Sequence, residues 1–346
     1  MDKIIGLGNA LVDVLATLKD DTLLDEMGLP KGSMQLIDDA KLQQINAKFS
    51  QMKTHLATGG SAGNTILGLA CLGAGTGFIG KVGNDFFGKQ LEQTIMEVGI
   101  DASGLQKDDD VHTTLALVHT YPDGDRDFSF YRNPGADMML TEEEVPEELI
   151  KGTRIFHFGT LSMTHEGVRN ATKKALRAAK EAGAVISFDP NLREPLWNSL
   201  DEAKEQVLYG LGQCDILKIS DNEIQWLTGE EDFTKGVHWI LERYHIPLIL
   251  VSMGREGSRA YYKDLIVEVK PFIQKNTIET TGAGDTFCAC VLHYILEHGL
   301  TDLIENDLKE MLTFANAAAS IITTRKGALR VMPEREEVEK LLSCFN

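Results

Sequence analysis

Short apolar runs alternate with longer amphipathic stretches along most of this chain. Each run is short enough for a buried strand, and the stretches between the runs repeat apolar residues three and four positions apart, as helices packed on a sheet do. This alternation predicts a doubly wound α/β fold, with a mostly parallel sheet flanked by helices. The predicted strands are residues 3–8, 76–82, 154–159, 185–189, 216–220 and 248–252, and the clearest helices are 61–72, 85–98, 166–182 and 285–298. Ser61 is the expected cap of the first of these helices.

Residues 113–132 break this pattern. Apolar and polar positions alternate there as in β-strands, on either side of a Pro-Asp-Gly-Asp turn at 122–125. Such a turn between two alternating runs predicts a β-hairpin. Because the sequence contains no internal repeat and no Pro/Gly/Ser-rich linker, residues 1–346 are expected to form a single domain.

Composition and charge exclude several classes of partner. The 346 residues are 43% hydrophobic and carry a formal net charge of −18 at pH 7. Nucleic acids and anionic membranes are bound through basic patches, so neither is an expected partner. No apolar stretch reaches the roughly 18 residues of a membrane span, and no signal peptide precedes the first strand, so a cytoplasmic protein is expected. The five cysteines are odd in number and form no CxxC pair, which favours buried thiols.

Residues 281–287 (TGAGDTF) are typical of an anion-binding site. Two glycines let backbone N–H groups converge, and the helix that follows adds the positive end of its dipole. A carboxylate in this nest, Asp285, fits a group that accepts the proton of a hydroxyl attacking a phosphate. The other interpretation is that Asp285 caps helix 285–298, and the sequence allows both.

Two other nucleotide-binding motifs are incomplete, because each lacks a residue that its chemistry requires. The Gly6-Leu7-Gly8 segment lacks the third glycine of a dinucleotide fingerprint. Two near matches to a P-loop, at 75–81 and 83–89, are followed by Val82 and Gln90 where a Mg²⁺-binding serine or threonine is required. A dehydrogenase and a P-loop ATPase are therefore disfavoured.

Asn9 and Asp13 follow the first predicted strand, where open α/β sheets bind ligands. A carboxylate beside an amide suits the vicinal hydroxyls of a sugar. Equally, the two side chains would satisfy their own backbone in a turn. The residues alone do not decide between these interpretations.

Three motifs together resemble those of the PfkB-type carbohydrate kinases: residues 281–287, residues 59–64 (GGSAGN) and residues 80–88 (GKVGNDFFG). The resemblance extends from residue 4 to about residue 333. It implies a ribokinase-like fold with a small β-sheet lid, formed by about 11–37 and 112–134. It also implies transfer of the γ-phosphate of ATP to a primary hydroxyl of a small sugar, and a homodimer formed through the lid.

The resemblance assigns roles to individual residues. Asp285 is the implied base, and Arg132 is a candidate contact to the acceptor or a partner in a lid salt bridge. The other implied positions are Gly282, Ala283 and Gly284 in the anion nest, Thr281 at the phosphates, Asn9, Asp13, Gly60 and Asn64 at the acceptor, and Ser252, Gly254, Gly257 and Asn316 at the adenine.

The resemblance assigns the metal contacts less directly, because this sequence departs from the family's pattern. Related kinases place Mg²⁺ with an Asn-x-x-Glu element, but Ser220 stands here for the asparagine. Glu223 is then expected either to orient Mg²⁺ through water or to act as a helix-start carboxylate. Arg193 is expected to neutralise the transferred phosphoryl group or to pair with Glu194. The resemblance also implies a K⁺ site, with Glu279 where aspartate is more typical.

The acceptor is the open question. Residues 130–138 and 188–197 resemble fructokinases, whereas 8–13 and 30–34 resemble adenosine kinases. A purine needs an aromatic or broad apolar platform for stacking, and the first lid segment offers none because it is aliphatic. Fructose is therefore the expected acceptor and adenosine the alternative. A non-catalytic sugar or nucleotide sensor is a second alternative, although the base and the glycine nest are both intact.

Overall fold

A computed structural model describes residues 3–17, 22, 26, 28, 34–49, 54–120, 126–132, 134–278, 280–325 and 332–344. Among these residues the strands form two sheets. The strands are β1 Lys3–Leu7, β2 Leu11–Thr17, β3 Met34–Leu36, β4 Thr54–Gly59, β5 Gly75–Gly83, β6 Asp101–Asp108, β7 Thr114–Thr120, β8 Arg126–Tyr131, β9 Thr153–Gly159, β10 Val185–Asp189, β11 Ile216–Ser220, β12 Leu248–Ser252, β13 Ser258–Tyr262 and β14 Leu265–Val269. The α-helices are α1 Asp39–Phe49, α2 Ser61–Cys71, α3 Phe86–Glu97, α4 Glu147–Ile150, α5 Glu166–Glu181, α6 Leu200–Leu211, α7 Asp221–Thr228, α8 Phe233–Leu241, α9 Ala283–His298, α10 Glu305–Ile322 and α11 Arg335–Ser343.

The large sheet has nine strands in the order β14-β13-β12-β11-β10-β9-β1-β5-β6. Strands β6 to β12 in this order pair in parallel, and β13 and β14 add an antiparallel edge. The carboxyl ends of the parallel strands therefore share one edge, which is where α/β sheets bind ligands.

Helices cover both faces of this sheet. Successive residues of β1 point to opposite faces, and Ile4 and Ile5 are both fully buried in separate cores. On one face the core includes α2, α9 and α10, and on the other it includes α5, α6, α7 and α8. The predicted doubly wound α/β fold is confirmed, and the predicted strands lie within a residue of the observed ones.

The small sheet has the order β3-β8-β7-β2-β4. The predicted hairpin is present as the antiparallel pair β7 and β8, while its turn at 122–125 lies outside the described residues. The sequence analysis missed β4, which pairs with β2 from Leu11 opposite Gly59. Its sequence, THLATG, alternates too weakly between apolar and polar residues to signal a strand. Because β4 leads directly into α2, the small sheet and the start of that helix are joined.

The expectation of buried thiols is confirmed for three of the five cysteines. Cys214, Cys288 and Cys290 are buried, whereas Cys71 and Cys344 are exposed. Burial raises the pKa of Cys290 to about 12, so this thiol stays protonated and unreactive. Among the described residues, no helix is both long and apolar enough to cross a bilayer.

A buried histidine in β9 makes the stability of this fold sensitive to acid. His157 Nδ1 lies 3.0 Å from Ser187 Oγ, and burial lowers the pKa of the ring from 6.5 to about 3. Below pH 6.5 the unfolded chain therefore binds a proton that the folded chain does not, so stability falls as the pH drops through this window.

We expect the titration of His157 to lower the free energy of unfolding by about 2 kcal/mol when the pH falls from 7.5 to 5. Urea unfolding of the wild type and of His157→Gln at both pH values measures this contribution as the difference between their pH dependences. The exposed His245→Gln serves as the control and should leave the pH dependence unchanged. Equal pH dependences for the wild type and His157→Gln would contradict the assignment.

Candidate active site

Asp285 lies in the first turn of α9, at the carboxyl edge of the large sheet. The cap residue of this helix is Gly282, in the left-handed conformation with φ of 79°, and no side chain caps the helix. The capping interpretation of Asp285 is therefore wrong. Its two carboxylate oxygens instead accept hydrogen bonds from Ser61 Oγ at 2.7 Å and from Asn64 Nδ2 at 2.8 Å.

Ser61 was expected to cap α2, and the structure gives it another task. The cap position is Gly60, with φ of 96°, and a Cβ there would lie 2.1 Å from the carbonyl oxygen of Asn9. Only glycine fits this conformation and this close approach. Ser61 Oγ therefore does not cap the helix and instead donates a hydrogen bond to Asp285. The sequence does not indicate this role, because serine at a helix start usually acts as a cap.

A cavity of about 330 Å³ opens beside Asp285. The side chain remains 8% exposed and lines this cavity. Most of the predicted residues of the acceptor and phosphate sites lie together on its wall. Those predicted for the acceptor are Asn9, Asp13, Gly60, Asn64 and Arg132, and those predicted for phosphate transfer are Arg193, Thr281, Gly282, Gly284 and Asp285.

Lys218 is a cavity residue that the sequence analysis did not single out. It lies in the middle of β11, and its Nζ lies 2.9 Å and 3.2 Å from the two carboxylate oxygens of Asp189. A Cβ added at Gly284 would lie 3.2 Å from this Nζ, so the glycine lets the ammonium group approach the start of α9. The ammonium group and the helix N-terminus together make this end of the cavity attractive to anions.

The charge state of Lys218 in its buried pair with Asp189 supports an anion-attracting end of the cavity. Burial lowers the pKa of Lys218, but the carboxylates of Asp189 and Glu223 outweigh burial and raise it above the ordinary value. The side chain therefore stays positively charged. Burial raises the pKa of Asp189 to about 7, against the opposing effect of Lys218.

On the acceptor side, Asn9 and Asp13 are not a turn pair. Asp13 lies within β2, paired with β4 and β7, and the amide of Asn9 donates to Asp137. Arg132 Nε also donates to Asp137 at 2.9 Å, and Arg132 Nη2 forms an ion pair with the same carboxylate at 2.8 Å. Of the alternatives for Arg132, the salt bridge is present, although its partner follows the lid strands instead of lying in them.

Glu223 acts as a helix-start carboxylate. It forms a capping box with Ser220, and its second oxygen accepts from the backbone N–H of Leu192 at 2.8 Å. Arg193 is exposed at the cavity and donates to the Leu192 carbonyl at 3.0 Å. Among the described residues no group of three or more acidic, histidine or cysteine side chains is arranged to hold a metal, and Glu279 lies outside them.

The residues predicted for adenine lie away from the cavity wall. Ser252 ends β12, level with Ser220 of β11, and Gly254 and Gly257 flank the short turn that follows. Asn316 Nδ2 donates to the carbonyls of Val269 at 3.1 Å and Lys270 at 3.3 Å, which ties α10 to the end of β14.

The arrangement suits phosphoryl transfer to a hydroxyl, because it sets a proton acceptor beside an anion-binding helix start inside a covered cavity. The fold and the site thus define a phosphotransferase of the α/β class.

Comparison with known proteins gives the family. The family described as pfkB family carbohydrate kinase matches residues 33–335. Over 286 residues the chain is 41% identical to Fructokinase-1 of Zea mays, covering 83% of this chain and 88% of that protein. The chain belongs to the pfkB family of carbohydrate kinases, which confirms the predicted family and enzyme class.

Solved structures confirm the ribokinase-like fold. The fructokinase of Xylella fastidiosa with bound ATP matches with a TM-score of 0.83 and 27% identity, over 99% of this chain and 98% of that chain. A fructokinase double mutant of Vibrio cholerae O395, in a form with fructose, ADP and potassium ion bound, matches with a TM-score of 0.80 and 25% identity, over 99% and 98%.

Removing only one member of the Lys218–Asp189 pair leaves a buried charge without its partner. We expect Lys218→Met to lower the free energy of unfolding by about 3–5 kcal/mol, and the double variant Lys218→Met with Asp189→Asn to recover most of that loss. Urea unfolding at pH 8 measures both. A double variant no more stable than Lys218→Met would contradict the ion pair.

Proposed function

We propose that this protein is a fructokinase that transfers the γ-phosphate of ATP to a primary hydroxyl of fructose. The observation that carries the proposal is the position of the Asp285 carboxylate, fixed by Ser61 and Asn64 where the start of α9 meets the cavity under the small sheet. The identity to the Zea mays fructokinase, and the similarity to a fructokinase with bound fructose, support fructose as the acceptor.

In this proposal Asp285 accepts the proton of the attacking hydroxyl. The hydrogen bonds from Ser61 and Asn64 hold the carboxylate in one orientation, which favours a productive approach of the hydroxyl. The backbone amides at Gly282, Ala283 and Gly284, together with Lys218, stabilise negative charge at the other end of the cavity.

ATP fits the donor groups that the chain provides. The phosphates would lie at the start of α9, with Thr281 beside them and Arg193 at the rim, and the adenine near Ser252, Gly254, Gly257 and Asn316. Mg²⁺ would neutralise phosphate charge and, since both oxygens of Glu223 already accept hydrogen bonds from the protein, would meet this residue through water. Glu279 is the residue proposed for K⁺.

Acceptor binding rests on polar groups where the small sheet meets the cavity. Asn9 and Asn64 each have a buried side-chain oxygen with no hydrogen-bond partner among the described residues, and a ligand hydroxyl would satisfy such acceptors. Asp13 and the backbone at Gly60 complete this side. The second lid segment places an aromatic ring, Phe130, on the cavity wall, in addition to the aliphatic first segment.

Two further expectations belong to the proposal. The outer strands of the small sheet are β3 and β4, and an open sheet edge is a natural pairing surface, so a homodimer through this sheet is proposed. The buried, unpaired thiols of Cys214, Cys288 and Cys290 are compatible with the reducing conditions of a cytoplasmic enzyme.

Asp285→Asn tests the proposed base. The change keeps the shape of the side chain but removes its ability to take a proton, so we expect kcat to fall by about 10²-fold or more with little change in ATP binding. Steady-state kinetics and calorimetric titration with ATP measure the two quantities. Asp201→Asn, an exposed carboxylate at the start of α6, is the matched control and should keep full activity. Near-normal turnover of Asp285→Asn would refute the role.

The acceptor is tested by ADP release in the presence of ATP, Mg²⁺ and one candidate at a time: fructose, ribose, other hexoses, 2-keto-3-deoxygluconate, adenosine or inosine. We expect the highest kcat/KM for fructose. A preference for adenosine would instead assign the Phe130 side of the cavity to a nucleoside. Ligand binding without ADP release from any candidate would indicate a sensor.

A further inference from the structure

A buried carboxylate to which the sequence analysis gave no role, Asp137 within the fructokinase-like segment 130–138, organises the acceptor side of the cavity. Asp137 is 1% exposed and lies in a short 3-10 helix, Ala136–Met138. Its oxygens accept hydrogen bonds from three side chains that come from different parts of the chain: Asn9, Thr114 and Arg132. Arg132 donates from Nε at 2.9 Å, and its Nη2 lies 2.8 Å from the same carboxylate oxygen in an ion pair.

These three donors surround the base of the small sheet. Asn9 lies between β1 of the large sheet and β2 of the small sheet, Thr114 begins β7, and Arg132 follows β8. A single carboxylate in the body of the protein therefore fixes three points at which the lid joins the cavity. It also sets the orientation of the Asn9 amide, because only the NH₂ side can donate to Asp137.

The pair with Asp137 also determines what charge the cavity presents. Arg132 lines the cavity, and its side chain is 3% exposed, while that of Asp137 is fully buried. An arginine in such a place would by itself attract a carboxylate or a phosphate on the acceptor. Because Arg132 already donates to Asp137 from Nε and forms a buried ion pair with it, its positive charge is compensated.

The other charged groups on the cavity wall reinforce this effect. Asp13 and Asp285 are carboxylates, and Lys218 lies at the other end of the cavity, beside the start of α9. Arg193 lies at the exposed rim. With Arg132 compensated, the acceptor side offers carboxylates that take hydrogen bonds from hydroxyls and repel anions.

We propose that Asp137 is a positioning residue that makes this kinase select neutral sugars over sugar acids, by compensating Arg132 and holding the Asn9 amide. This inference deepens the proposed function and rests on the acceptor occupying the cavity beside Asp285. A carboxylate that served stability alone would affect all acceptors alike, whereas this role predicts a change in preference between neutral and anionic acceptors.

Asp137→Asn keeps the shape of the side chain and releases the charge of Arg132. We expect kcat/KM for fructose to fall by about tenfold or more, and the ratio of kcat/KM for 2-keto-3-deoxygluconate to that for fructose to rise by about tenfold or more. Adding Arg132→Gln to this variant should abolish the gain for the anionic acceptor. Glu144→Gln is the control, because Glu144 pairs with Lys81 in the segment that follows Asp137 and does not line the cavity.

Wild-type selectivity gives a second readout that does not depend on the folding of a variant. Calorimetric titration should show that the wild type binds fructose at least about tenfold more tightly than 2-keto-3-deoxygluconate. Equal or reversed affinities would overturn the inference, as would an Asp137→Asn variant that loses activity equally for both acceptors. If the wild type prefers a neutral acceptor other than fructose, the proposed substrate is wrong while the charge selection stands, so the two failures are distinguishable.

Discussion

The site depends on one contact between two helices: the Asp285 carboxylate at the start of α9 is held by Ser61 and Asn64 at the start of α2. A carboxylate near a helix N-terminus is stabilised by the helix dipole, and here it is also fixed in direction by two side-chain donors. The start of α2 is itself fixed by Gly60, whose backbone passes close to the carbonyl of Asn9. The base, the acceptor side and the lid strand β4 are therefore parts of one connected structure.

Two buried ion pairs flank this contact, Lys218 with Asp189 towards the phosphate side and Arg132 with Asp137 towards the acceptor side. Burying charged pairs seldom adds net stability, since desolvation offsets their attraction. Their presence at the two ends of one cavity is better explained by function. The first places the Lys218 ammonium group close to the start of α9, and the second pairs Arg132 on the side proposed for a neutral sugar.

The sequence was enough for the frame of this fold because each central strand is buried on both faces and each helix has one apolar face, and both patterns are local. It also predicted that Asp285, Asn64, Gly60, Gly282 and Gly284 lie at one site, because their residue types are unusual where they occur, while their roles stay a prediction. Ser61 was misread because a local explanation, the helix cap, was available. Lys218 and Asp137 were missed because their partners, such as the Thr114 and Asn9 contacts of Asp137, come from distant parts of the chain. Strand β4 was missed because its sequence alternates weakly and because its pairing with β2 is a contact between distant parts of the chain.

The central claim is that Asp285 receives the proton of the attacking hydroxyl. The most direct measurement is a crystal structure with fructose and a non-hydrolysable ATP analogue bound together. The account predicts one carboxylate oxygen of Asp285 at about 2.6–3.2 Å from a primary hydroxyl oxygen of fructose, with that hydroxyl facing the γ-phosphate at the start of α9. A fructose molecule whose primary hydroxyls both lie beyond hydrogen-bond reach of Asp285 would contradict it.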